Sequence, residues 1–358
     1  MDVAVVPVDR TREPELHAIN RASPILAGAT FFIDREPDFF AWPQATFAQY
    51  QYFGIFAAGQ LVGYLVAGAQ GGWTGDDYRD FCYVGDARVL PAARGAGLTA
   101  IAAERVHAAL PVEVDIGFCF VKKRNVHGRS AVRSMGNTNV LAAPACAYSV
   151  YDVVSAKKCG AGARVALPED GPGIAALLAR AYAGRLFAPR VDPGRSDLGV
   201  GLRWGRDPVW VIEQRGRIAG VLAVRDASDA RTTRVLSTGL RARIAATACR
   251  LLGARTTPPH GPPDGGALRV LTATHLAAWD DDPAIARSLI MTARAYAGSN
   301  GYHGVRIGFP EHDPLRPAVR RMTSRRHDGR LHFFARTRTR LDAALTCARR
   351  PYVNLLFV

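Results

Sequence analysis

Val89-Leu90-Pro91-Ala92-Ala93-Arg94-Gly95-Ala96-Gly97-Leu98 decides how the rest of the chain is read. An apolar strand runs into a turn with two glycines, and the turn opens an alanine-rich helical stretch. Such a turn can aim several backbone N–H groups at one anion, and the helix start behind it adds its positive end. A cofactor pyrophosphate is the anion that suits this arrangement best.

Outward from the turn, residues 79–90 form a strand closed by Pro91. The helix ahead carries Leu98, Ile101, Ala102, Val106 and Ala109 on one stripe and stops before Pro111. Residues 112–121 are almost continuously apolar, as a buried parallel neighbour requires. The glycine turn therefore sits where the C-terminal end of a strand meets a helix, a place anionic ligands favour. Four residues past Val121 stands Asn125, followed by Gly128, Ala131, Met135 and Gly136.

These two motifs, in this order and separation, resemble the GNAT superfamily of acyl-CoA N-acyltransferases. That family's cofactor motif is Arg or Gln, two residues, Gly, one residue, then Gly or Ala. Here it stands as Arg94-Gly95-Ala96-Gly97-Leu98-Thr99, with Thr99 departing at the last position. The resemblance covers residues 1–155 well and the remainder mainly in layout. It implies that acetyl-CoA or another acyl-CoA lies between the strands ending at Val89 and Val121, with no metal. Its pyrophosphate would meet the N–H groups of Arg94, Gly95, Ala96, Gly97 and Thr99. Asn125 would hold the pantetheine arm, and a backbone N–H near Val89 or Leu90 would stabilise the oxyanion.

The proton-transfer groups are less visible. The family often has a tyrosine seven residues after the motif asparagine, and this chain has Val132 there. Tyr148 and Tyr151, on later strands, are substitutes or core residues. Asp86 and Asp80 are candidate bases. Strand parity puts both on one face, with Asp86 nearer the reaction end. Glu113 and Asp115 lie on the facing strand, near its start. Lys122-Lys123-Arg124 could meet a phosphate or form a solvated turn. Phe31-Phe32 and Phe39-Phe40-Ala41-Trp42-Pro43 line a pocket or fill the core. Trp73-Thr74-Gly75-Asp76-Asp77-Tyr78 reads as a polar loop near the acceptor opening.

The chain also echoes itself. Gly59 and Gly63, in one strand–turn–strand unit, match Gly216 and Gly220 in another. Turn glycines supply positive φ, and their repetition at domain-sized spacing indicates a duplicated fold. The expected fold class is α/β: two tandem GNAT-like domains, each a mixed, mostly antiparallel sheet with a splayed parallel pair, flanked by helices. Residues 1–156 form the catalytic domain. Residues 157–358 form a degenerate partner that shapes the acceptor cleft. In that half the strand 268–274 and helix 283–297 lack the glycine turn between them. Trp279-Asp280-Asp281-Asp282 stands there instead, and its acids suit a helix start while repelling a pyrophosphate. Residues 255–266 read as a surface loop, 331–335 and 352–358 as sheet edges, and His312 as a surface residue.

Bulk properties narrow the partners. The 358 residues carry 46 basic and 31 acidic side chains, a formal charge of +15, and all but four of the basic residues are arginine. Coding bias or attraction to anions explains this surplus. The six cysteines are not spaced as metal knuckles or redox pairs. No apolar run reaches membrane-spanning length and Met1-Asp2-Val3-Ala4 lacks a secretory character, so a soluble cytoplasmic protein is expected. The expected partner is a small-molecule amine. An acidic carrier protein or tRNA-bound donor is one alternative, and a non-catalytic acyl-CoA sensor is another. No recognition-helix arrangement suggests nucleic acid as a target.

Overall fold

The computed structural model describes residues 2–26, 29–111, 113–135, 140–156, 162–238 and 266–357. Gly136 of the second motif, the start of the interdomain stretch at 157–161, and almost all of the loop at 255–266 lie outside the described residues. The first part runs β1 (Val3–Val8), α1 (Glu13–Ala22), β2 (Ile25–Leu26), β3 (Ala29–Asp34) and α2 (Ala41–Thr46). Then follow β4 (Gln49–Ala57), β5 (Gln60–Trp73), β6 (Tyr78–Val89), α3 (Leu98–Ala109), β7 (Ile116–Lys122), α4 (Val126–Met135) and β8 (Leu141–Val154). The second part runs β9 (Ala163–Val165), α5 (Gly171–Tyr182), β10 (Val209–Gln214), β11 (Arg217–Asp226), β12 (Thr232–Thr238) and β13 (Ala267–Leu268). It ends with β14 (Val270–Ala278), α6 (Pro283–Ser299), β15 (Gly304–Pro310), β16 (Ser324–Ala335) and α7 (Arg338–Cys347).

The internal echo extends to backbone detail. Ala58 and Gly59 both have positive φ, as do Arg215 and Gly216, so both hairpins turn through two left-handed residues. Each hairpin then breaks register at the same point: between Ile55 and Phe56 in one, and between Ile212 and Glu213 in the other. Gly63 and Gly220 follow. A Cβ on Gly63 would come within 2.6 Å of the Arg88 carbonyl oxygen, and one on Gly220 within 2.4 Å of Ile285. Close packing, rather than turn geometry, demands glycine at these two positions.

Among the described residues, twelve strands form one sheet, in the order β1-β4-β5-β6-β7-β16-β8-β15-β14-β11-β10-β9. It is mostly antiparallel, with two parallel contacts. β6 meets β7 at Cys82–Gly117 and Tyr83–Phe118, and β14 meets β15 from Val270–Gly304 to Thr272–Arg306. Beyond those pairs the strands of each couple diverge. The two halves exchange their last strands. β16 lies against β7 along Gly329–Lys122 to Ala335–Ile116, and β8 lies against β15. Residues 331–335, expected at a sheet edge, are thus central, because β16 pairs on both sides. Residues 352–357 form no strand. They pack into the core, where the buried Trp42 indole N–H donates to the Leu356 carbonyl at 2.8 Å.

The faces of the first half are distinct. Leu98, Ala102 and Val106 of α3 cover Phe53, Leu65 and Cys82 on one face. Ile101 is only partly covered and Ala109 is exposed, so the buried stripe is narrower than the sequence pattern. The other face carries Tyr52, Tyr64, Phe81, Tyr83, Phe118 and Phe333, closed by α1, α2 and α7. There Phe39, Phe40 and Trp42 are core residues, packed edge-on against Tyr64, Tyr52 and Phe47 respectively. A second, small sheet, β13-β12-β3-β2, joins the halves through β3 and β12.

Candidate active site

The turn after β6 is exposed and left-handed at both glycines, with φ of 91° at Gly95 and 71° at Gly97. Neither glycine would meet an atom within 4 Å if given a Cβ, so backbone conformation alone selects them. Among the described residues, no acceptor meets the N–H groups of Gly95, Ala96, Gly97, Leu98 or Thr99. The Arg94 N–H is different: it donates to the Pro91 carbonyl at 3.3 Å, and the Arg94 side chain donates to the Val89 carbonyl at 3.1 Å. Five free donors at the start of a twelve-residue helix fit a diphosphate.

Beside the turn lies the divergence of β6 and β7. The Leu90 N–H is spent on the Val62 carbonyl at 2.9 Å. Strand alternation therefore turns the Val89 N–H to the other side, toward the gap. Upstream, Val66 pairs Gly85 and Tyr64 pairs Arg88, so Asp86 and Ala87 together oppose Leu65. This bulge, with φ of 50° at Asp86, reverses the facing of the strand. Cys82 and Val84 point to the α3 face before it, whereas Ala87 and Val89 point there after it. Asp80 and Asp86 accordingly lie on opposite faces, which corrects the expectation from simple parity.

Asp86 is enclosed. Its carboxylate receives Arg35 Nη2 at 2.5 Å and lies 3.4 Å from Arg88 Nη2, and both the Asp86 and Arg35 side chains are buried. Asp80 is exposed and precedes the parallel contact, away from the gap. The loop at 74–77 likewise caps the start of β6, roughly 35 Å along the strand from Val89, and not the acceptor opening. Tyr148 is buried on β8, separated from β7 by β16, with its ring 6.1 Å from that of Phe120. Burial raises its hydroxyl pKa well above the usual value. Asn125 accepts from the Gly128 N–H at 2.9 Å and so caps the start of α4. Asp115 is held by Arg79 and Arg340, and Glu113 and His312 are exposed.

The face opposite α3 holds groups that sequence reasoning missed. Arg35 follows β3 and Arg231 precedes β12, one residue beyond the Asp34–Thr232 pair, so the two arginines oppose each other. Both guanidiniums lie over Trp42, at 4.5 Å and 5.1 Å from the ring centre. Lys122 ends β7 on the parity of Ile116 and Phe118. Burial, then the charges of Arg306 and Arg231, brings its ammonium down to about 8. Burial and Arg35 likewise lower Arg231 to about 10. Further along, Arg306 pairs Asp152 at 2.7 Å, and His327 meets the same carboxylate at 3.0 Å. Burial works to raise the Asp152 pKa, but Arg306 and the hydrogen bonds outweigh it and hold the carboxyl well below the usual range. No local motif marks these residues, because they come from strands far apart in the chain.

The second divergence, between β14 and β15, is built differently. Pro351, Tyr352, Val353 and Leu355 enter it, and the Tyr352 hydroxyl donates to the Thr274 carbonyl at 3.0 Å. The cavity left is about 60 Å³. That is room for a few waters and far below the roughly 300 Å³ where ligand pockets begin. The acids ahead of α6 are engaged: Asp280 with Arg180, Asp281 with Arg350, and Asp282 as the cap on the Ala284 N–H.

Among the described residues, no group of three His, Cys, Asp or Glu could hold a metal ion, and no helix is long and apolar enough to cross a membrane. Two divergent parallel pairs thus stand in one sheet, with strands exchanged between the halves. No family model and no curated protein matches the sequence. Solved structures do match. Saccharomyces cerevisiae N-myristoyltransferase with bound myristoyl-CoA aligns over 93% of this chain and 82% of its own, at 12% identity and a TM-score of 0.56. A GCN5-related N-acetyltransferase from Anabaena variabilis aligns over 93% of this chain and 72% of its own, at 10% identity and a TM-score of 0.50. The likeness is one of fold.

Proposed function

We propose that this chain is an N-acyltransferase that moves an acyl group, acetyl being the first to test, from acyl-CoA to a primary amine. The observation that carries this reading is the run of five unpartnered N–H groups, Gly95 to Thr99, beside the gap between β6 and β7. Those amides would hold the donor's diphosphate. The Val89 N–H, turned into the gap, would polarise the thioester carbonyl. The fold neighbours are acyltransferases of this kind, one of them solved with myristoyl-CoA.

In the transfer, the amine nitrogen bonds to the carbonyl carbon, the C–S bond breaks, and one proton passes from nitrogen to the thiol, leaving an amide and free CoA. The Asp86 carboxylate is already engaged, Oδ2 with Arg35 and Oδ1 with Arg88. We assign it to holding Arg35 in place. The second half, its divergence filled by residues 351–355 and its helix start occupied by acids, is assigned the role of closing the acceptor cleft.

The test is calorimetric titration with CoA, alongside thiol release from acetyl-CoA across an amine panel. Micromolar CoA binding with amine-dependent thiol release is expected. Binding without thiol release from any acceptor would favour a sensor, and absence of CoA binding would point to a carrier-borne donor.

A further inference from the structure

We infer that the acceptor amine also carries an oxyanion, and that Arg231 and Lys122, backed by Arg35, form the site that receives it. This rests on the transferase reading and names its substrate class.

The argument begins with the two faces of the sheet. The donor turn and α3 lie on the face of Cys82 and Leu98. Arg35, Arg231 and Lys122 lie on the face of Tyr83 and Phe118, together with Asp86. The gap between β6 and β7 joins the faces, so a thioester entering from the α3 side would meet its acceptor on the cationic side. Five cations stand there, Arg35, Arg88, Lys122, Arg231 and Arg306, and they share two carboxylates, Asp86 and Asp152.

The imbalance is local as well as summed. Asp86 serves Arg35 and Arg88, and Asp152 serves Arg306 and His327. Among the described residues, neither Arg231 nor Lys122 meets a carboxylate. Arg35 is 1% exposed, yet its Nε and Nη1 have no hydrogen-bond partner. Setting Arg231 directly opposite Arg35 brings like charges together at the end of a small sheet, an arrangement that costs stability unless an anion stands between them. Arg231 and Lys122 are only half-buried, so a small ligand can reach them. A guanidinium fork and an ammonium within each other's field are suited to a carboxylate or phosphate. The same field would disfavour the protonated form of an incoming amine, which would lose its proton to solvent, since the Asp86 carboxylate is engaged by Arg35 and Arg88.

The test uses matched acceptors with acetyl-CoA: amino acids against their amides, and phosphoethanolamine against ethanolamine. The oxyanion-bearing member of at least one pair is expected to show about tenfold higher kcat/KM, and the better pair identifies carboxylate or phosphate. Arg231→Gln and Lys122→Gln should each erase that preference, and Arg231→Lys should restore part of it. A second readout needs no turnover: N-acetyl amino acids should raise the melting temperature of the CoA-loaded protein, their amides should not, and Arg231→Gln should abolish the difference. If no thioester is cleaved but the melting difference appears, the anion site stands and the transferase reading falls. Equal handling of charged and neutral members, a preference that survives both variants, or a loss of CoA affinity in its place would overturn the inference.

Discussion

Asp86 and Arg35 form a buried ion pair, Oδ2 to Nη2, that spans the β6 bulge and the end of β3. Removing one member of such a pair leaves a buried charge uncompensated. Asp86→Asn is expected to cost about 3–5 kcal/mol of stability and to lower Tm by roughly 10 °C. Below the transition, kcat/KM should fall less than about tenfold, whereas loss of a general base costs about 10²–10⁴. Paired thermal melts and kinetics separate the two roles. A variant of native stability with activity lost a thousandfold would restore Asp86 as the base.

The open turn makes a second prediction. Valine at Gly95 or Gly97 must adopt φ of 91° or 71°, a region it strongly disfavours. The turn should re-form with its N–H groups misdirected. Because the site is exposed and a Cβ meets nothing within 4 Å, the fold should survive. Calorimetric affinity for CoA is expected to drop at least about tenfold, with near-unchanged circular dichroism. Native affinity in both variants would remove the diphosphate from this turn.

His275 supplies a pH dependence. Its ring is buried, takes the Tyr182 hydroxyl on Nδ1 at 2.5 Å and turns Nε2 to the Val200 carbonyl at 3.1 Å, which defines a neutral tautomer. Burial and then Arg225 bring its pKa down to about 4. The unfolded value is near 6.5, so the unfolded chain takes up the proton first. Stability is full above about pH 6.5 and falls with pH until the folded ring also titrates near 4. Urea unfolding should show a loss of about 2 kcal/mol between pH 6.5 and 5. His332, also brought down to about 4 by burial, adds to that slope, so His275→Gln should reduce it without removing it, and an unchanged slope would refute the assignment.

Strand exchange predicts that the halves fold together. β7 has β16 as its antiparallel partner, and β15 has β8. Residues 1–156 expressed alone should give no cooperative melt, because β7 would present an open apolar edge. Co-expression with residues 157–358 should restore a cooperative transition. A stable isolated first half would show that β8 can fold back onto β7.

Much of this was legible in the chain itself, wherever a local rule governs conformation. Gly59 and Gly216 announced their hairpins, because a two-residue turn with positive φ leaves little choice of residue. Gly95 and Gly97 did the same for the turn into α3. The Asp280–Asp282 run likewise marked the start of α6. The misplacements share one cause. The facing of Asp80 and Asp86 depended on a bulge that adds one residue and inverts alternation, and bulges leave little trace in the hydrophobic pattern. Tyr148, a candidate proton donor on a later strand, is kept from β7 because β16 stands between them, through a pairing of residues about 180 apart in the chain.

Sequence alone marked most of the elements, the repeated hairpin and the left-handed turn after β6, since each follows from short-range sterics and backbone hydrogen bonding. Tertiary structure alone decided that Asp86 is locked by Arg35 and that Arg35 and Arg231 meet over the Trp42 ring. Electrostatic neighbours are chosen by sheet topology, and side chains far apart in the chain acquire a common field only once the strands that carry them are laid side by side.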